Sequence, residues 1–285
     1  QNPLVDMRLL DGAHLTAAVP PLAVRGPCLT VRKVRRTSRT LEDLVASGTL
    51  SPQIAEFLSL CLKHRRNVVV AGGTRSGRTT LLAALARAIP DAERVITIEE
   101  VAELDLGRDQ WIALETRPPD ASGHGAVTIG ALLHSALRMR PDRLVIGDLV
   151  GGDTLDVLSA GGAHDGMLAT VRAESPREAT QRLESMARQS GVDLGGKALG
   201  GLIASAVHVV VQLSRFHDGS RHVVSVDEVV AGERGSELRE LYRFEGQGTG
   251  EDGRMKGRYV ATGTTPRFVE ELEKRGEKVP ATLFR

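Results

Sequence analysis

Eight consecutive residues carry most of the chemistry in this chain: Gly72, Gly73, Thr74, Arg75, Ser76, Gly77, Arg78 and Thr79, with Thr80 following. Their spacing is that of the phosphate-cradling loop G-x-x-x-x-G-K-[ST]. Glycines let backbone amides converge on phosphate oxygens, and the start of a following helix adds a favourable dipole. In such a loop the Thr79 hydroxyl is a ligand for Mg2+. One position departs from the pattern, because Arg78 stands where lysine belongs. Lysine is a compact charge on a slim stem, whereas arginine is longer, planar and forked. Arg75 adds a second bulky cation at the tip of a loop otherwise built from small residues. Two plainer readings stand beside this one: drift from lysine to arginine with function kept, or glycines that only make a tight strand-to-helix turn.

The loop needs a strand before it and a helix after it. Both are legible. Asn67-Val-Val-Val-Ala71 is a β-branched run, and Leu81, Leu82, Leu85 and Ile89 recur on one helical face up to Pro90. Further strands are expected at 94–98, 111–115, 144–147 and 167–171, with helices at 129–139, 154–160 and 175–189 between the later ones. Ser175-Pro-Arg-Glu178 reads as a capping box with proline at the first helical position. Alternation of this kind predicts a largely parallel sheet covered by helices on both faces. A hairpin through Asp218-Gly219 joins 208–214 to 221–230. At the amino end, short strands at 7–10, 14–19 and 28–33, the first two flanking Asp11-Gly12, form the end of a small domain. The resulting division is 1–39 for that piece and a basic linker, 40–245 for the α/β core, and 246–285 for a glycine- and charge-rich surface appendage.

Composition narrows the function. Thirty-seven basic residues face thirty-six acidic ones, for a net charge of +1, and aromatics are 3% of the chain. A non-specific nucleic-acid binder would carry a cationic surplus and stacking rings, so no direct nucleic acid is expected. The cluster Arg32, Lys33, Arg35, Arg36 and Arg39 reads first as a solvated charge run, with phosphate reach or a nucleic-acid patch as the functional alternatives. No apolar run approaches the ~20 residues that span a bilayer. Two cysteines, Cys28 and Cys61, build neither a disulfide framework nor a zinc site, and a reducing cytosol is the default.

The stretch from about 67 to 212 resembles the ATPases of type II and type IV secretion and pilus machines, most nearly the tight-adherence (Tad/Cpa) pilus motors. The resemblance lies in ordered segments: 70–80 across the loop, Ile-Thr-Ile-Glu-Glu-Val-Ala-Glu-Leu at 96–104, Leu-Glu-Thr-Arg-Pro-Pro at 114–119, Ala-Leu-Arg-Met-Arg-Pro-Asp-Arg at 136–143, and His-Asp-Gly-Met-Leu-Ala-Thr-Val at 164–171. It implies a RecA-like phosphate-loop core, a partial small N-terminal α+β domain and a C-terminal β-hairpin appendage. It also implies ATP with Mg2+ held by Thr79 and Asp148, and a hexameric ring, homomeric or mixed with a homologue. That ring would sit in the cytoplasm on an inner-membrane platform protein, with no transmembrane segment of its own. Glu99 or Glu103 would polarise the attacking water, Arg117 would contact phosphate, and His164 would belong to a histidine box. Glu100 stands where the family prefers aspartate, Asp148 where it has glutamate, Val150 and Asp153 where it has arginine and glutamate, and Arg172 replaces a second histidine. Each residue also has a bland role: a solvated strand end for the glutamates, a surface ion pair for Arg117, a backbone hydrogen bond for His164. The departures gather on the reacting positions, so a fold that keeps the ATPase architecture with weakened hydrolysis is expected. The alternative is a non-catalytic subunit beside an active homologue.

Overall fold

The computed structural model describes residues 3–9, 12–33, 39–120, 122–233, 235–250 and 253–285. Six parallel strands form the centre: β4 (Val68–Gly72), β5 (Val95–Glu99), β6 (Trp111–Glu115), β7 (Arg143–Ile146), β8 (Leu168–Arg172) and β9 (Val209–Arg215). Each residue of β4, β5 and β7 is buried, the continuous pattern of strands covered on both faces. Three antiparallel strands, β10 (Arg221–Gly232), β11 (Gly235–Thr249) and β12 (Met255–Ala261), extend the sheet to nine in the order β12-β11-β10-β9-β4-β8-β7-β5-β6. The expected α/β class, with a parallel sheet between helical layers, is what the structure has.

Helices sort by face. One apolar cluster joins the sheet to α1 (Leu41–Ala46), α2 (Pro52–Lys63) and α3 (Arg78–Arg87). The opposite cluster joins it to α4 (Ile129–Arg138), α5 (Thr154–Ala163), α6 (Pro176–Arg188) and α7 (Gly196–Ala206). Local chemistry marks the starts. Thr40 and Asp43 exchange a full capping box at α1, and Ser51 caps α2 ahead of Pro52. At α6, Ser175 accepts from the Glu178 amide as expected, but the Glu178 carboxylate reaches back one residue further and takes the Glu174 amide at 2.8 Å. Asn67, directly before β4, is buried and fully bonded: its amide nitrogen donates to the Gly161 and Ala206 carbonyls, and its oxygen accepts from the Gly166 and Met167 amides.

The three short strands expected at the amino end are present, the first at Leu4–Arg8 and not 7–10, whereas the expectation for the carboxyl end changes. At the amino end, β1 (Leu4–Arg8), β2 (His14–Ala18) and β3 (Cys28–Arg32) form a separate antiparallel sheet with little buried surface. Asp11, Arg35 and Arg36 lie outside the described residues. At the carboxyl end, the boundary at 245/246 falls inside β11, and the tail beyond it is no surface appendage. Helix α8 (Arg267–Lys274) and a short 3-10 turn (Ala281–Phe284) carry Phe268, Val269, Leu272, Leu283 and Phe284 into the core. Phe57 of α2 is the meeting point, with ring centroids 5.6 Å from Tyr242, 6.1 Å from Phe268 and 5.9 Å from Phe284. The Tyr242 hydroxyl donates to the Leu283 carbonyl at 2.7 Å. Charged residues outnumber apolar ones along 267–278, which hides a strongly one-sided helix from a reading of composition.

Phe284→Ala should therefore destabilise the protein by about 3 kcal/mol in urea unfolding, the range for truncating a buried ring. A change below about 0.5 kcal/mol, typical of a surface position, would restore the appendage reading.

Candidate phosphate site

Strand register brings the site together. Gly72 lies opposite both Arg172 of β8 and Leu213 of β9, so the loop leaves the sheet at the carboxyl ends of its strands, where open α/β sheets bind ligands. Space is tight at the loop's start, and at Gly72, which faces backbone, it requires glycine. A Cβ on Gly72 would fall 2.3 Å from Ser76 Oγ and 2.8 Å from the Leu213 carbonyl, and one on Gly73 would fall 2.4 Å from the Glu174 carboxylate. Gly77 caps α3 with φ 102°, a conformation that costs glycine little. Arg75 also takes a positive φ, 62°, without that freedom. The first turn of α3, at Arg78, Thr79 and Thr80, presents amides that have no carbonyl one turn back. Ser76 Oγ is buried and has no hydrogen-bond partner among the described residues.

Arg78 folds back onto its own loop. Its Nη1 donates to the Gly72 carbonyl and, at 2.8 Å, to the Gly73 carbonyl, while Nη2 lies 3.5 Å from Asp148 Oδ2. Asp148 Oδ1 lies 3.0 Å from the Thr170 hydroxyl, whose one proton it shares with the closer Gly147 carbonyl. Burial pushes the Asp148 carboxyl above its ordinary pKa, and the charge of Arg78, the Thr170 hydroxyl, and the more distant Arg182 and Arg172 pull it part of the way back. Thr79 and Asp148, the pair expected to hold Mg2+, are both near the loop. The carboxylate, however, faces the Arg78 guanidinium at 3.5 Å, so a hard cation there would compete with a fixed positive charge for Oδ2, a poor fit for that group. Among the described residues no group of three His, Cys, Asp or Glu side chains could hold a metal.

The acidic residues divide. Glu99 ends β5 beside Gly147, whose added Cβ would fall 2.9 Å from Glu99 Cγ. It is buried, and its oxygens accept from the Glu103 amide at 3.0 Å and the Leu104 amide at 3.1 Å. Burial raises its pKa to about 7, against those two bonds, which lower it. Glu103 is instead ion-paired with Arg32 of β3, just as Arg8 of β1 pairs with Glu115 of β6. The small amino-terminal sheet is thus clasped to the carboxyl ends of β5 and β6.

Two expected residues lie elsewhere. His164 caps the carboxyl end of α5, ahead of Leu168. Leu168 lies opposite Val68, so His164 sits at the amino-end edge of the sheet, one strand length or about 13 Å from the loop. Arg117 follows β6, four strands from β4, or about 19 Å at ordinary strand spacing. Its Nε donates to the Gly125 carbonyl at 2.7 Å, which closes its own short hairpin. Sequence reasoning missed three residues at the site: Thr170 beside Asp148, Glu174 beside Gly73, and Arg221, whose Nε donates to the Arg75 carbonyl at 3.0 Å. Thr170 left a signal, as a hydroxyl inside a buried apolar strand; Glu174 and Arg221 left none short of the register.

The sheet and loop define a RecA-like phosphate-loop protein. Residues 1–264 match the model of the family described as type II/IV secretion system protein, and the chain belongs to that family. A Mycobacterium tuberculosis protein named for conjugal transfer is 36% identical over 214 residues, covering 75% of this chain and 60% of its own length. The chain therefore spans three-fifths of that relative. VirB11, a type IV secretion system protein of Bartonella henselae, is 28% identical over 75% of this chain and 70% of its own. Among solved structures, the VirB11 ATPase of the Brucella suis type IV secretion system, in complex with sulphate, superposes with a TM-score of 0.55 at 32% identity over 79% of this chain and 73% of that one. The pilus retraction motor PilT with bound ADP shares the fold at TM-score 0.55 and 16% identity, covering 84% of this chain and 63% of its own. No helix among the described residues is long and apolar enough to cross a membrane.

The raised pKa of Glu99 fixes a pH window. Below about 4.5 the carboxyl is protonated in both states; between about 4.5 and 7 the unfolded chain loses the proton first, so stability falls as pH rises, by on the order of 3 kcal/mol, and then levels off. Glu99→Gln keeps an acceptor for both amides and should flatten that fall. Urea midpoints of parent and variant at pH 5 and pH 8 read it directly, and equal slopes in the two proteins would refute the assignment.

Proposed function

We propose that this chain is a nucleotide-binding subunit of the secretion-ATPase type, serving a type IV secretion or conjugal-transfer apparatus and turning ATP over slowly or not at all. Family membership, relatives named for conjugal transfer and type IV secretion, and a sulphate complex of the Brucella suis VirB11 ATPase support the apparatus and the anion. The observation that carries the impaired reading is Arg78: a guanidinium bonded to the Gly72 and Gly73 carbonyls and set against Asp148. In this reading the amides of 74–80 and the guanidinium receive the phosphates of ATP or ADP. The positive charge of Arg78 would supply part of the phosphate neutralisation that a metal ion gives in other phosphate-loop proteins. Glu99, a buried carboxyl at the loop's end of the sheet with its pKa raised to about 7, is the group suited to take a proton from water, but its two amide bonds hold it against the 103–104 turn.

Subunits of this kind would act as a ring, homomeric or mixed with an active homologue, on an inner-membrane platform, for a tight-adherence pilus or another machine of the superfamily. In such a ring Arg117 and the strand unit within 1–39 would face a neighbour and not the chain's own loop. The second reading, a subunit that binds nucleotide without hydrolysis, is favoured by the Arg78 guanidinium set 3.5 Å from Asp148 Oδ2.

Purified protein should bind fluorescent ADP with an affinity that changes less than about threefold when Mg2+ is replaced by EDTA, because the guanidinium already meets the phosphate charge. Phosphate release should be at least ~100-fold below that of a related active motor, the scale of loss for a misplaced catalytic group. Arg78→Lys alone should not restore it, since Asp148 and Glu99 stay as they are. Multiple turnovers at ordinary motor rates would overturn the impaired reading, and loss of ADP binding in EDTA would overturn the metal argument.

A further inference from the structure

We propose that Arg221 is a positioning residue of the phosphate loop, a tether that ties the loop's tip to the antiparallel half of the sheet and keeps one peptide plane turned for anion binding. The inference rests on the phosphate-binding reading above and adds a residue 146 positions from the loop.

The loop has little to hold its own tip. Among its backbone amides, Ser76 N to the Gly73 carbonyl is the one hydrogen bond within 72–77, and at 3.3 Å it is long. Two residues around it have positive φ: Arg75 at 62°, where a side chain makes the conformation costly, and Gly77 at 102°. The Arg221 side chain lies across both. Its Nε donates to the Arg75 carbonyl at 3.0 Å, and its Cδ would lie 3.1 Å from a Cβ on Gly77. A trans peptide is planar and its C=O and N–H point in opposite directions. Drawing the Arg75 carbonyl outward to Arg221 therefore turns the Ser76 N–H back across the loop, where it meets the Gly73 carbonyl at 3.3 Å. Released from Arg221, that peptide keeps only the long Ser76–Gly73 bond, and rotation about it would set a carbonyl oxygen, a partial negative charge, toward an incoming phosphate.

The tether's other end is anchored. Ser220 is fixed by Asp218, which accepts from its amide at 2.9 Å and its hydroxyl at 2.7 Å, and Asp218 also takes the Met255 amide at 2.6 Å. His222 stacks on Phe244 with centroids 4.7 Å apart and lies 3.2 Å from the Tyr259 hydroxyl. Tyr259 in turn donates to the Thr49 carbonyl at 2.6 Å. Arg221 thus starts β10 between two immobilised neighbours, and its terminal nitrogens make no hydrogen bond among the described residues. The charge that remains beside the loop's mouth has the sign an anion requires.

The test uses the full chain with Arg221→Ala and Arg221→Lys. Without ligand, hydrogen exchange of peptides covering 72–79 should speed up at least about fivefold in the alanine variant and stay unchanged elsewhere, with the melting temperature held. Affinity for fluorescent ADP and for sulphate should fall about tenfold, the scale of one lost hydrogen bond to a charged group. Lysine should recover affinity to within about threefold, since an ammonium can also donate to the Arg75 carbonyl. Weaker binding with unchanged exchange in the free protein would make Arg221 a direct phosphate contact and overturn the tether; no change in either would overturn it too. If the parent binds neither ADP nor sulphate, the phosphate reading fails, while the exchange comparison still decides whether Arg221 holds the loop.

Discussion

The guanidinium of Arg78, held between two backbone carbonyls and a half-buried carboxylate, sets the character of this molecule's central site. A lysine there would present one ammonium that swings between loop and ligand. Arginine's fork instead divides its donors, two bonds to the start of the loop and one nitrogen toward Asp148, and it stays charged throughout. The cation that should meet the phosphate and the carboxylate that should meet a metal are thereby coupled. Removing either exposes the other, because a buried charge that loses its partner is costly.

Around that pair the architecture behaves as a frame. Four buried apolar residues in β4, Val68 to Ala71, fix where the loop leaves the sheet, glycines at 72 and 73 let it turn against Leu213 and Glu174, and α3 carries its apolar residues into the core behind it. What lies in front of the loop is supplied from far along the chain. Thr170 holds Asp148 from the neighbouring strand, Glu178 fixes the backbone of Glu174, and Arg221 reaches over from the antiparallel extension. The amino-terminal sheet engages Glu103 and Glu115 by ion pairs between partly exposed groups, a weak and salt-sensitive attachment.

Membership of the secretion family gives this arrangement its context without deciding its chemistry. Fold and activity separate easily in such proteins, since a sheet can persist while the side chains at its rim change. Three charged residues sit at that rim: Arg78 after the loop glycines, Asp148 after β7, Arg172 at the end of β8. Their shared location on one edge makes them a single electrostatic unit.

The sequence by itself determined the loop, the parallel core and most of its helices, because these depend on local signals: β-branched runs, glycines at fixed spacing, and caps such as Ser51-Pro52 and Ser175. It placed Glu99, Asp148 and the loop at the ends of the right strands for the same reason. Tertiary structure alone decided which of them meet. Strand order set His164 on the opposite edge and Arg117 four strands away, although both stand in motifs that run alongside the loop in sequence. It also turned the charged carboxyl-terminal segment into core, where Phe268 and Phe284 close on Phe57. Register and long-range packing arise from the whole chain's burial, and a local pattern holds no record of which distant residue, such as Arg221, will lie against it.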